Sequence, residues 1–83
     1  MFFTGQISLF SSELAPKGWL LCDGSSYSLN EYSDLFNLIK FSYGGNHSTT
    51  FAIPNLMSSS LTTSNGKKIY YYICASGVYP NKS

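Results

Sequence analysis

The sequence predicts an α+β fold: a small, mostly antiparallel β-sheet with one α-helix packed on a face. Three observations predict it. Short apolar runs recur between Gly, Pro and Asn turn signals, the pattern of brief strands. One segment, Tyr32 to Ile39, spaces its apolar residues as a helix does. The chain has 83 residues, so 1–83 is read as a single domain, without internal repeats. A domain this small buries only about 60% of its unfolded surface. Its core is thin, and subunit contacts are one source of added stability.

Gly5 to Phe10 reads as a strand with period two, Ile7 and Leu9 facing inward and Gln6 and Ser8 outward. Pro16 and Gly18 make Ser11 to Gly18 a loop. Trp19-Leu20-Leu21-Cys22 is apolar on both faces, which fits a central strand covered on both sides. Asp23-Gly24 ends it with a turn signal. Ser28 and Glu31 have capping-box spacing, so the helix is expected to start at Ser28, with Tyr27 and Tyr32 as a hydrophobic staple. Tyr32, Leu35, Phe36 and Ile39 form its apolar face, with Leu38 beside it. About three turns are expected, stopping by Gly44 in a left-handed position. Gly44 to Thr50 is a polar loop. Phe51-Ala52-Ile53 is extended, and Pro54 holds Ile53 in that geometry. Met57 to Thr63 is Ser/Thr-rich and reads as weakly ordered. Asn65-Gly66 signals a hairpin, pairing Leu61–Ser64 with Lys67–Ala75. In that last strand Ile69, Tyr71 and Ile73 share one face, and Lys68, Tyr70, Tyr72 and Cys74 the other.

Composition excludes several classes. Charged residues are 11% of the chain and aromatics 17%, and the net charge is +1. All five basic residues are Lys, so the Arg-rich basic surface of a nucleic-acid binder is missing. No apolar run approaches the roughly 20 residues of a membrane span. Met1-Phe2-Phe3 is too short for the apolar region of a Sec-type signal peptide. The address implied is the producing cell's cytoplasm or a particle assembled there. Cys22 and Cys74 allow one disulfide at most; they are read as buried thiols, with a disulfide as the minority alternative.

Little here supports catalysis. Two distant cysteines and one histidine fall short of the four ligands of a zinc site, so no metal and no cofactor are expected. His47 is the only conventional base, and no Gly-x-Ser-x-Gly elbow is present. Glu13, Asp23, Glu31 and Asp34 are the only carboxylates; Glu31 reads as a cap and Asp34 as solvated helix surface. The chain is therefore read as a non-enzyme. Binding is easier to support. Trp19, Tyr27, Tyr43, Tyr70, Tyr72 and Tyr79 are amphipathic aromatics in a low-charge chain, suited to sugars as well as to half-buried sheet positions.

The order of these pieces resembles a known family. Gly5-Gln6-Ile7-Ser8-Leu9-Phe10 and Ala15-Pro16-Lys17-Gly18-Trp19-Leu20-Leu21-Cys22-Asp23-Gly24 are similar to the opening of the phage tail collar domain. That module is found in short tail fibres and in microcystin-dependent proteins. Leu35-Phe36-Asn37-Leu38-Ile39, Tyr43-Gly44-Gly45 and Thr50-Phe51-Ala52-Ile53-Pro54-Asn55-Leu56 continue the likeness. Tyr72-Ile73 and Gly77-Val78-Tyr79-Pro80 close it. Family members commonly carry a long Gly-rich stretch before the last strand; here Met57 to Tyr70 replaces it. The resemblance implies a structural or adhesion module of a tail fibre or tail-like particle, self-associating as a trimer. The alternative is a free-standing protein that binds a cell-surface glycan or a host protein.

Binding, where it occurs, is expected on loops. The candidates are Asp23 to Tyr27, chiefly Asp23 and Tyr27, and Tyr43 to Thr49, chiefly Tyr43, Asn46 and His47. On the helix as read, the two loops lie at its opposite ends, about 20 Å apart. Changing Asn46 and His47 to Ala is expected to spare the melting temperature.

Overall fold

The computed structural model describes residues 2–11 and 15–78. Met1, Glu13, Tyr79, Pro80 and Lys82 lie outside the described residues. The strands are β1 (Ile7–Phe10), β2 (Trp19–Leu21), β3 (Ser26–Ser28), β4 (Thr50–Ala52), β5 (Leu61–Thr62) and β6 (Lys68–Cys74). The helix α1 spans Ser33–Ile39, and a 3₁₀ turn spans Met57–Ser59. Among the described residues the named strands all pair antiparallel, with one isolated parallel bridge between Phe3 and Val78, and there is one α-helix, so the fold is α+β, as the sequence predicts.

The strand that organises the domain is β6. It runs between β1 on one side and β2 and β5 on the other. Its alternation works as read. Tyr71 and Ile73 turn toward the main core with Cys22, Leu35, Phe51 and Ile53. Tyr70, Tyr72 and Cys74 turn to the opposite face around Trp19. There Phe2 and Phe10 each stand edge-on to the Trp19 ring, at 5.0 Å between centroids, a favoured aromatic geometry. Trp19 thus anchors the start of β2. β2 is covered on both faces, as expected, but lies outside β6 rather than at the centre of the sheet.

The main-core face is covered by a second layer made of α1 and the two-stranded sheet β3–β4. Two layers about 10 Å apart account for a shortest dimension of 20 Å. The sequence reading missed β3. Ser28 is not a helix cap: it ends β3 opposite Thr50, and Leu29 N–H continues the ladder to Thr49 C=O. The helix starts five residues later, with Tyr32 as a cap that makes no side-chain bond. A strand pairing with apolar burial behind it outweighs a capping box, which is worth about 1 kcal/mol. The Tyr27–Tyr32 contact is made even so, edge-on at 5.3 Å. The apolar face of α1 is the one expected: Leu35 is buried, and Tyr32, Phe36 and Ile39 pack around it.

Helix α1 ends early as well. Lys40 turns left-handed with φ 52° and donates its N–H to Phe36 C=O. Phe41 then folds back on Phe36 at 5.0 Å between ring centroids. The chain has already reversed before Gly44, so Gly44 is not the helix stop.

β1 inverts the expected facing. Ile7 and Leu9 are each 40% exposed, while Ser8 and Phe10 are half-buried. Ile7 does stand on the main-core side, opposite Ile73. The covering layer reaches Ile73 but leaves the outer strand open. Phe10 is held instead by Trp19 and Tyr72 on the other face. Period two locates the two faces of a strand but does not say which one a partner layer covers.

The hairpin at Asn65-Gly66 forms where its signal lies. Thr63 N–H bonds Lys67 C=O, and Gly66 N–H returns to Thr63 C=O. Leu61 faces Ile69. Met57–Ser59, expected to be weakly ordered, is the 3₁₀ turn.

Candidate functional site

The loop Asn46–Thr49 is built around one side chain. Asn46 Oδ1 accepts the main-chain N–H groups of Ser48, Thr49 and Thr50 at 2.8, 2.8 and 2.9 Å. Its amide donates to Thr49 Oγ1 at 2.9 Å, and its N–H reaches Thr50 Oγ1 at 3.2 Å. Asn46 is therefore the internal tie of the loop. This revises the expectation for the Asn46/His47 pair. Asn46→Ala removes these exposed bonds at once and is expected to cost about 1 kcal/mol, or several degrees of melting temperature. His47→Ala alone is expected to move it by less than a third as much; paired thermal melts check both.

His47 sits on this tie with φ 62°. Its ring lies over Phe41 at 4.6 Å, tilted 30°. Phe41 in turn meets Phe36, and Lys40 places its ammonium 5.2 Å above the Phe36 ring. Phe36, Phe41 and His47 form a run of rings from the core to the surface. Tyr43 is 52% exposed beside the run in sequence. It does not pack back on the helix; Phe41 takes that place. The region offers an imidazole, a phenol and an aromatic edge, groups that stack on C–H faces and donate hydrogen bonds. Phe41 was not among the expected residues. Its position two before Tyr43 carries no periodic signal, and only the early helix end brings it to His47.

Asp23 and Tyr27 form a separate unit. Asp23 Oδ1 accepts Ser25 N–H at 3.0 Å, an Asx turn, and Asp23 bridges to Asn55. Burial pushes the Tyr27 hydroxyl above its ordinary pKa, and the Asp23 carboxylate adds to the push. The separation of the two loops is set by the β3–β4 ladder rather than by a long helix. Tyr27 pairs with Phe51 and Ser28 with Thr50, next to the Asn46 tie. Asp23 lies before the start of β3, on the far side of the turn at Gly24. Tyr27 thus stands between the two loops: its main chain pairs with Phe51 and its hydroxyl feels the Asp23 carboxylate.

A cleft of about 240 Å³ lies between Glu31–Asp34 and Ala75–Gly77. It is below the roughly 300–1,000 Å³ of a usual ligand pocket. Among the described residues no group of His, Cys, Asp or Glu is placed to hold a metal ion, and no helix is long and apolar enough to cross a membrane.

Both cysteines are buried free thiols, the majority expectation of the sequence reading. Cys22 lies in the main core, and Cys74 behind Trp19. Burial first, and then the Asp23 charge, push the Cys22 thiol up to about 11. A thiol this hard to ionise reacts slowly. Native protein is expected to resist a thiol reagent that labels both cysteines rapidly in denaturant. The raised value also sets an alkaline limit. Below pH 9 the thiol is neutral folded or unfolded; between pH 9 and 11 only the unfolded chain loses the proton. Stability is expected to fall across that window by about 2 kcal/mol, which urea titrations at pH 8 and 11 would measure. Tyr27 acts in the same direction above pH 10.

The phage tail collar domain model matches residues 5–61, more than half of the chain. The chain belongs to the phage tail collar domain family. Membership indicates a structural module of the phage tail fibre type. The matched stretch carries β1 to β4, α1 and the 3₁₀ turn, and ends at the first residue of β5. Gly77-Val78 lies beyond it. No curated protein and no solved structure matches the chain.

Proposed function

We propose that this collar domain is a non-catalytic structural or adhesion module of a phage tail or tail-like particle, and that it works as a self-associated assembly. The observation that carries the reading is the family match over residues 5–61. The apolar side chains left exposed on a low-charge domain support self-association; among them are Phe2, Phe3, Leu38 and Leu61. Such groups favour interfaces. The test is to purify particles from producing cells and quantify the chain by mass spectrometry. The reading expects several copies per particle, and recovery only in the soluble cell fraction overturns it. Light scattering at about 100 µM tests assembly, and a monomer there counts against it.

The exposed Tyr43 and His47 favour a second reading, a free-standing protein that grips a glycan or a host protein. In that reading Tyr43 and His47 make the contact, Asn46 holds their loop, Tyr27 borders it and Asp23 stands apart. Tyr43→Ala with His47→Ala should then abolish glycan-array signal while leaving the fold intact.

A further inference from the structure

Two short segments close against each other outside both core clusters. Phe2–Thr4 runs alongside Gly77-Val78, and Phe3 and Val78 make the one parallel bridge among the described residues. Val78 N–H bonds Phe2 C=O at 2.8 Å, and Thr4 N–H bonds Val78 C=O at 2.9 Å. The buried Thr4 hydroxyl accepts Gly77 N–H at 3.1 Å. What the two segments cover is the face of the main sheet turned away from α1. The Phe2 ring stands edge-on to Trp19. Gly77 lies over the Cys74 thiol: a Cβ there would stand 2.8 Å from Sγ and 2.5 Å from Phe2 O. Trp19 and Cys74 are both buried.

Each segment leaves the sheet through a bend. Gln6 N–H bonds Phe3 C=O at 3.0 Å across Thr4-Gly5, with Gly5 at φ 90°, a tight turn that carries Phe2–Thr4 away from β1. On the other side β6 ends at Cys74, and Ser76 and Gly77 are exposed. Phe2, Phe3 and Val78 stay 44–48% exposed, and none joins either core cluster. Few buried contacts and exposed main-chain bonds mark a segment that opens before the rest of a domain does. We propose that Phe2–Thr4 is a latch over Gly77-Val78, one that opens while both sheets and α1 stay folded. Opening swings about the Thr4-Gly5 turn and breaks the bonds to Gly77 and Val78. It uncovers the Trp19 ring and the Cys74 thiol, and it leaves the β1–β6 ladder and the bond from Cys74 N–H to Gln6 C=O in place. Gly77 is also part of one wall of the cleft facing Glu31–Asp34, so the cleft widens in the open state. The main core, where Cys22 lies, takes no part. The latch rests on this contact alone, whatever the domain serves.

The two cysteines report the two kinds of opening separately. Where reclosing outpaces reaction, each thiol labels in proportion to the population that exposes it. In the folded chain both should label far more slowly than in denaturant, but Cys74 about tenfold or more faster than Cys22, as read by peptide mass spectrometry. Ile53→Val trims the main core at a residue 1% exposed and destabilises the latched and unlatched forms alike. It should speed Cys22 labelling about three- to tenfold, the usual effect of that change in a core, and Cys74 labelling by less than about twofold. Gly77→Ala acts on the latch. The φ of Gly77 is not positive, so the added carbon brings only its clash with Phe2 O and Cys74 Sγ. It should speed Cys74 labelling about tenfold or more while circular dichroism stays that of the folded chain. A common labelling rate for the two cysteines of the unaltered chain overturns the proposal. So does an Ile53→Val variant that speeds both equally, or a folded Gly77→Ala variant whose Cys74 labels no faster.

Discussion

Gly45→Ala is expected to lower the melting temperature by about 10–25 °C. A Cβ at Gly45 would stand 2.4 Å from Thr50 O and 2.5 Å from Phe51 Cα. Both are main-chain atoms of β4 and cannot swing aside as a side chain would. Gly45 also has φ 112°, a region that costs a side-chain-bearing residue about 1–2 kcal/mol. Overpacking against fixed backbone adds about 1–3 kcal/mol. In a domain of this size each kcal/mol moves the midpoint by about 4–8 °C. Gly66→Ala is the control. Its φ of 87° is also positive, but nothing lies within 4 Å of the added carbon. It should cost only the conformational part, about 1–2 kcal/mol. Thermal melts of both variants give the comparison. Equal losses would mean that β4 yields at Gly45 and that close approach is not its role.

The same glycine marks the limit of what the sequence could convey. Tyr43-Gly44-Gly45 is legible as a turn. Which glycine needs its hydrogen for space depends on where β4 passes, and no local pattern states that. Elements defined by local chemistry were legible: the apolar face of α1, the alternation of β6, the Asn65-Gly66 hairpin and the two-faced strand at Trp19. Elements defined by pairing were not. Ser26-Tyr27-Ser28 has no apolar alternation and is a strand only because Thr50-Phe51-Ala52 lies beside it. The Ser28–Glu31 spacing then pointed to a helix start that the pairing overrode. Ile7 and Leu9 fail in the converse way. Their alternation is sound, but the layer that would cover them stops at Ile73. In the candidate site, Tyr43 and His47 were legible as exposed groups. The tying role of Asn46 was not, since an Asn beside a glycine fits a turn and a contact equally well.

Phe51→Ala is expected to cost about 3–5 kcal/mol, the usual loss for a fully buried Phe. Phe51 is 0% exposed, and its place in the fold argues for the upper half of that range. It lies on β4 opposite Tyr27, meets Phe36 of α1 at 5.5 Å and joins the cluster with Cys22 and Ile73. One side chain thus touches the second sheet, the helix and the main sheet. Removing it leaves a cavity that none of these can close without losing register. A thin core has little stability in reserve, so the variant should be largely unfolded at 37 °C. Phe51→Leu fills most of the space and should retain a cooperative transition at reduced midpoint. Urea titration of both variants measures the losses, and a Phe51→Ala loss below about 1.5 kcal/mol would place the centre of the core elsewhere. Because Gly45 approaches the Phe51 main chain, the two sites should couple. With the Phe51 ring gone, β4 can shift away from an alanine at position 45. The double variant Gly45→Ala/Phe51→Ala is therefore expected to lose less than the sum of the single losses, by about 0.5 kcal/mol or more.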